Sequence, residues 1–497
     1  VVNLHASVAF HALRQPEKTA LIYADEAISY ACFNRRIERM AALIASKGVG
    51  DGDVVALFMK NSAAFLDIAF AISYLGAVFL PINFRLACDE AQHIIEDSQA
   101  RLVFVDDDFP LVARLHANTV VVDSAAQHDS LHLSGDDFPV PPPCQRRPEN
   151  LFRLMYTSGT TSRPKGVMHS YENFYWKSLD HGIALGLSDE NRLLVIGPLY
   201  HVGAFDLPGV AVLLHGGMLC IHRDFDAEAA LAAIDRHALN CAWAAPIMMN
   251  RMLSVENSAR FNLTSLKWCI GGGEKTPESR IREFGNLFPD GRYIDGYGLT
   301  ESCSGDTLME AGREIEKIGS TGRALPHVEV AILDDHGQRC PVGVQGEICL
   351  RGPKVTKGYW NAPEKTAESF FGDWFRTGDV GKLDSEGFLY VTDRRKDMIL
   401  TGAENVASSE IENVIYKLPE VAEVAVVGVP DPSWGERVIA VVVLKRQCGL
   451  DLQTLQTHCR AHLAGFKVPA GLEIRNALPR NPSGKILKRV LRDEIND

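Results

Sequence analysis

The sequence predicts an α/β protein with mainly parallel sheets and a small α+β unit at its C-terminal end. Short apolar runs alternate with helix-period segments through most of the 497 residues. A proline-rich stretch and a charged turn punctuate the chain, and the segment after the turn has an apolar pattern of its own. At roughly 150 residues per domain, this length carries about three structural units.

Residues 54–59, 102–105, 119–122, 193–196 and 266–270 read as buried strands, each a short apolar run between turn or helix signals. Residues 226–237 place their apolar positions at helical spacing. The longest apolar stretch, 64–80, is interrupted by Asp67 and Gly76 and stops at Pro81. It is too short and too broken for a membrane span, and reads as an amphipathic helix, a turn at Gly76 and a buried strand at 77–80. Residues 134–150 hold five prolines, which cannot continue a helix or a central strand, and read as a connector between subdomains. Residues 388–391 read as a strand leading into DRRKD at 393–397. Beyond it, 411–417 reads as helix and 424–429 and 438–444 as strands. The expected units are therefore 1–393 and 394–497.

A net charge of −12 with 46% hydrophobic and 23% charged residues excludes a mainly disordered, collagen-like or many-span membrane chain. It also disfavours nucleic acid and anionic lipid as partners. The eleven cysteines are scattered without a CxxC pair, as expected for reduced thiols in a cytoplasmic protein rather than a disulfide framework or zinc site. The opening VVNLHASVAFHALRQ lacks a basic segment followed by a long apolar run, so no signal peptide is expected.

The strongest chemical signal is YTSGTTSRPKGV at 156–167, which follows a mostly apolar run. Hydroxyls and backbone N–H groups in a flexible loop suit phosphate oxygens, and Lys165 adds a full charge. It is not a Walker loop, because Pro164-Lys165-Gly166 stands where Gly-Lys-Ser/Thr is required. On composition alone, a solvated Ser/Thr turn competes with this reading.

YTSGTTSRPKGV resembles the phosphate-loop signature of the adenylate-forming superfamily of acyl-CoA synthetases and luciferases. GYGLTES at 296–302, WFRTGD at 374–379, DRRKDMI at 393–399 and PRNPSGKILK at 479–488 follow in the family's order. The resemblance implies a large N-terminal body of stacked sheets with helices and a small mobile C-terminal domain. It also implies a two-step reaction. A carboxylate attacks the α-phosphate of ATP, releasing pyrophosphate and leaving an acyl-adenylate, and the thiolate of CoA then displaces AMP. Two anions must meet in the first step, so catalysis is expected to rest on charge neutralisation and positioning.

Carried onto this chain, the resemblance implies that Thr157, Ser158, Gly159, Thr160, Thr161 and Lys165 hold the β- and γ-phosphates. Thr300 reaches the α-phosphate, and Glu301 offers Mg²⁺ a hard carboxylate. Alone, Glu301 would read as a surface carboxylate. Gly272, Gly273, Glu274, Asp295, Gly296 and Tyr297 border the adenine, against the plainer reading of a glycine turn and ordinary aromatic packing. Asp379 accepts the ribose hydroxyls and Arg394 reinforces ribose or phosphate, where each could otherwise be a turn residue. Lys396 sits at the hinge. Lys485, in a Pro-Ser-Gly loop, brings an ammonium to carboxylate and α-phosphate; without the motif it would read as a solvated surface lysine. His201 in PLYHVGAF is a positioning or gating residue, against a satisfied core histidine.

Three departures stand out. Ser162 replaces a usual glycine, Ala403 a common second glycine, and Ser408–Ser409 a frequent proline-containing pair. Gly402, Ala403 and Glu404 are expected along the CoA channel, where the added Cβ of Ala403 narrows the path. By position, Tyr200, Val202, Phe205, Trp243, Gly271, Gly298 and Cys303 form the acyl pocket. This mostly apolar set holds no cation, which disfavours a dicarboxylate. Medium- to long-chain fatty acids are the leading expectation, with aryl acids of the coumarate or benzoate kind behind them. An enzyme loading a carrier-protein thiol and a luciferase-like oxygenase remain as rivals. The expected partners are a small carboxylic acid, ATP and CoA, with no integral membrane segment and the oligomeric state open.

Overall fold

The structure is a computed structural model that describes residues 3–123, 138–157, 164–272, 278–394, 397–401, 404–431, 435–446, 448–480 and 486–496. Among these residues the chain builds four sheets. In the six-stranded sheet the order is Thr119–Val122, Leu102–Asp106, Val54–Phe58, Val78–Pro81, Leu151–Thr157 and Lys165–Ser170. All neighbours are parallel except the last pair, which is a hairpin. The nine-stranded sheet has a parallel centre, running Arg292–Tyr297, Trp268–Gly272, Cys241–Trp243, Arg192–Val195, Met218–Ile221 and Thr19–Tyr23. Its antiparallel edges are Thr307–Leu308 with Arg323–Ala324, and Glu26–Ser29. One buried apolar cluster spans both sheets, joining Val55, Leu57 and Phe79 of one to Leu193, Ile270 and Ile294 of the other. Two sheets stacked on a shared core are the body that the resemblance implies.

Five antiparallel strands between Glu329 and Arg394 form a third sheet. The fourth comprises Glu404–Val406, Ile399–Thr401, Gly435–Leu444, Val421–Asp431 and Gly471–Ile474. Its own core of Ile399, Ile411, Ile415, Val426 and Val442 packs the helix Ser408–Ile415 against it.

Most predicted strands and the helix Ala227–His237, capped by Asp226, stand within a few residues of their expected positions. Two readings change. The helix Ala63–Tyr74 is buried on every face, so it is a core helix rather than an amphipathic one. Asp67 can be buried because Arg36 on the helix Tyr30–Ser46 donates from Nε to both its oxygens at 3.1 and 3.0 Å. The proline-rich run joins Thr119–Val122 to Leu151–Thr157, two strands of one sheet. It is thus a crossover within a sheet rather than a link between subdomains. Proline excludes regular structure locally but carries no information about which sheet receives the next strand.

Removing one partner of the buried Arg36–Asp67 pair strands the other charge without water. Asp67→Ala should lower unfolding free energy by about 3–5 kcal/mol, read from the denaturation midpoint. A loss below about 1 kcal/mol, the range of a solvated surface pair, would contradict this account.

Candidate active site

The sheet topology gathers the motifs at one edge. Strands Trp268–Gly272 and Arg292–Tyr297 run parallel, with Gly271 opposite Asp295 and Gly272 opposite Gly296. Their C-terminal ends therefore release Gly272 and Tyr297 side by side, where open α/β sheets place their ligands. Tyr297 donates its hydroxyl to Asp379 Oδ2 at 2.8 Å. Burial first, and the Asp379 charge second, push that phenol well above its usual range. Asp379 comes from the third sheet, on the strand Trp374–Leu383 opposite Arg394. Glu347 shapes its turn, accepting the Gly378 N–H at 3.1 Å where Gly378 adopts φ +74°. Glycine takes that conformation without a Cβ penalty.

The described ends of the phosphate-loop candidate lie on the hairpin Leu151–Thr157/Lys165–Ser170, whose last pair is Thr157 with Lys165. Lys165 lies 6.0 Å from the centre of the Tyr359 ring. Tyr359 in turn donates its hydroxyl to Glu301 Oε1 at 2.9 Å. Burial, then Lys365, lowers the Lys165 pKa, while Glu368 and Glu301 oppose the shift. The backbone of the Thr300–Glu301 turn is held at both residues: His169 Nε2 lies 2.6 Å from Thr300 O, and Thr356 N–H donates to Glu301 O at 2.7 Å. A single hard carboxylate beside a phosphate hairpin fits Mg²⁺, which in nucleotide sites takes one or two carboxylates together with substrate oxygens. Among the described residues no three His, Cys, Asp or Glu side chains gather as a metal cage.

On the acyl side, His201 caps the short helix Val202–Asp206, with Nδ1 accepting the Gly203 N–H at 3.2 Å. Trp243 lies against two glycines: a Cβ on Gly203 or Gly197 would come within 2.3 or 2.4 Å of its ring. Tyr293 treats Gly271 likewise, since a Cβ there would lie 1.6 Å from its hydroxyl oxygen. Gly298 faces the Ser304–Gly305 backbone, where a Cβ would approach to 2.3 Å. Val202 and Tyr200 are buried, Tyr200 edge-on to Phe84, and burial raises its phenol to about 12. Phe205 differs from the expectation. It is fully buried, packed on Phe79 and the Arg153 guanidinium in the core rather than presented as a pocket wall. Cys303 is also fully buried, and burial raises its thiol to about 12, so it acts as a small apolar residue.

Ser158, Gly159, Thr160, Thr161, Ser162, Gly273, Glu274, Lys396, Gly402, Ala403 and Lys485 lie outside the described residues, as do the side chains of Arg394 and Glu404. Sequence reasoning missed Tyr359, which stands between Lys165 and Glu301 although no spacing links the three. It also missed a set of buried charges behind Cys303. Asp206 meets Arg153 Nη2 at 2.8 Å and Lys177 Nζ at 3.4 Å, and Asp306 meets Lys354 Nζ at 3.0 Å. Burial pulls the Lys177 ammonium down to about 8, against the opposing pull of Asp206. Desolvation, then Arg153, holds His169 well below its usual range, so its ring is neutral.

Comparison with known proteins places this geometry. The AMP-binding enzyme family matches residues 8–360, and the AMP-binding enzyme C-terminal domain matches residues 410–485. A feruloyl-CoA synthase of Amycolatopsis sp is 37% identical over 96% of this chain and 96% of its own. The long-chain-fatty-acid–CoA ligase FadD13 of Mycobacterium tuberculosis is 36% identical over 95% of this chain and 94% of its own. Among solved structures, the o-succinylbenzoate CoA synthetase MenE of Bacillus subtilis with ATP and magnesium superposes with a TM-score of 0.86. It is 30% identical, covering 99% of each chain. No helix among the described residues is long and apolar enough to cross a membrane. By these matches and its ordered motifs, the chain belongs to the AMP-binding enzyme family.

Proposed function

We propose that this acid–CoA ligase, which uses ATP, Mg²⁺ and CoA, takes a flat aryl acid as its substrate. The observation that carries the reading is the Tyr293 hydroxyl against Gly271. In the sequence, the glycines from 271 leave room for a chain or a ring. With Tyr293 pressed on bare backbone, a long acyl chain cannot pass between that residue and the strand. Trp243 occupies the space over Gly197 and Gly203 in the same way. Aromatic rings set over bare glycine backbone at both places favour a short, flat acid over a long chain. The relatives do not decide the matter, because a feruloyl-CoA synthase and a fatty-acid ligase match almost equally well.

In this reading Thr157 and Lys165, with the loop between them, neutralise the β- and γ-phosphates, and Glu301 presents Mg²⁺ to them. Tyr297 gives adenine a flat face while its hydroxyl aims Asp379 at the ribose. Thr300 serves the α-phosphate, and His201 orients the acid with its Nδ1 engaged by the helix it caps. Residues 1–393 and 394–497 work as two units hinged at Lys396. The second unit delivers Lys485 for adenylation, then turns Gly402, Ala403 and Glu404 toward CoA.

Acid-dependent pyrophosphate release across cinnamic, benzoic and fatty acids tests the substrate class. The highest kcat/KM is expected with an aryl acid, and Tyr293→Leu should shift preference toward longer chains. Preference of the unaltered enzyme for long-chain acids, unchanged in Tyr293→Leu, would contradict the reading. Tyr297→Phe keeps the ring but loses the bond to the carboxylate. A charged hydrogen bond contributes about 1.5–3 kcal/mol, so KM for ATP should rise about tenfold or more with KM for the acid nearly unchanged. An unchanged KM for ATP would remove Tyr297 from nucleotide positioning.

A further inference from the structure

A continuous line of buried polar groups runs beneath the site, and no step described above uses it. Its starting point is the hairpin that carries the phosphate loop. Arg153 and His169 sit opposite each other in register at its base, on strands Leu151–Thr157 and Lys165–Ser170. Both are fully buried. Arg153 Nη2 reaches Asp206 Oδ2 at 2.8 Å, and Arg153 Nε donates to His169 Nδ1 at 3.0 Å. A guanidinium can only donate, so Nδ1 is the acceptor and the proton of the neutral ring sits on Nε2. That Nε2–H donates to Thr300 O at 2.6 Å. This one proton assignment satisfies both hydrogen bonds of the His169 ring, and Asp206 answers the Arg153 charge as an ion pair.

The three ends belong to three parts of the site. Asp206 closes the helix that begins after His201, Thr157 lies four residues beyond Arg153 on the phosphate hairpin, and Thr300 opens the turn bearing Glu301. The turn is closed by its own backbone, Cys303 N–H donating to Thr300 O at 3.1 Å and Ser304 N–H to Leu299 O at 2.9 Å, but the residues that follow are in an unfavourable conformation. Cys303, Ser304 and Gly305 take φ values of +56°, +66° and +65°, a conformation that disfavours the first two. Lys354 braces this stretch from the other side, donating to Ser304 O at 3.0 Å and Gly305 O at 2.6 Å while paired with Asp306. The Thr300 carbonyl thus accepts twice, from Cys303 N–H within the turn and from His169 on the hairpin, and the His169 bond is the one that ties the turn to the hairpin.

We propose that His169 and Arg153 are positioning residues for adenylation, fixing Thr300 and Glu301 relative to the phosphate hairpin, with Asp206 linking this brace to the acyl-side helix. The proposal rests on the placement of Thr300 and Glu301 at the nucleotide phosphates. The brace serves the step in which two anions meet, so its loss falls on adenylation more than on thioester formation. A displacement of about 1 Å can cost on the order of a hundredfold in rate.

The test separates the half-reactions in the full-length chain. Adenylation is followed as acid-dependent ATP–pyrophosphate exchange, and thioester formation as discharge of supplied acyl-adenylate by CoA. His169→Leu fills the space without hydrogen bonds and should lower adenylation kcat about thirtyfold, with thioester formation within about twofold. Glutamine can accept from Arg153 and donate to Thr300 O at once, so His169→Gln should recover most of the loss. Equal loss in both half-reactions, glutamine no better than leucine, or unchanged adenylation in His169→Leu would each overturn the brace. If His169→Leu does not fold, His169→Asn replaces it, being too short to span both partners. Adenylation in asparagine equal to that in glutamine then overturns the proposal, and a loss confined to asparagine supports it. Thr300→Ala measured alongside separates the two layers. Full adenylation there removes both the placement and the brace, whereas loss there with His169→Leu unaffected removes the brace alone.

Discussion

A guanidinium sealed from water must be answered by a carboxylate, and Arg153 is where this constraint shapes the molecule. Among the described residues it heads the largest side chains that the fold buries completely. An isolated charge in that position would cost several kcal/mol. Asp206 at 2.8 Å makes burial tolerable and thereby fixes where its helix docks on the hairpin. Lys177 adds a second cation to the same carboxylate, and the centres of the Phe152 and Phe205 rings lie 5.5 and 5.4 Å from the guanidinium. Apolar packing alone would allow these elements to slide. A charge pair in a dry interior does not, because a small displacement uncovers both ions.

From that fixed base, the site is assembled by topology. Parallel strands end together, so Gly272 and Tyr297 emerge as neighbours at one edge of the nine-stranded sheet. The hairpin presents Lys165 from the six-stranded sheet, and the third sheet supplies Asp379. In the proposed site, these three sheets each contribute a different part: base, phosphates and ribose. Adenylation brings a carboxylate to a polyphosphate, and the arrangement opposes that repulsion with fixed charges and oriented donors rather than with a proton-transfer pair.

Much of this was legible in the sequence. Strands of the parallel sheets appear as short apolar runs because both of their faces are covered, and the ordered motifs identify the family and its chemistry. The misread parts have specific causes. The helix Ala63–Tyr74 looks amphipathic only if Asp67 must face water, and its partner Arg36 lies 31 residues away. Phe205 follows His201 closely, yet the helix turns its ring into the core. The buried charges behind Cys303 come from separate segments, so no local spacing announces that Arg153, Lys177 and Asp206 meet. Tyr293 reads as an ordinary strand residue until the register places it over the open side of Gly271.

The central claim is that the acid's own oxygen attacks the α-phosphate. Carboxylate-labelled ¹⁸O acid, turned over with ATP, Mg²⁺ and CoA and followed by mass spectrometry of the products, tests it most directly. The account predicts one labelled oxygen in AMP and none in pyrophosphate. Label in pyrophosphate or inorganic phosphate, or unlabelled AMP at full thioester yield, would contradict it.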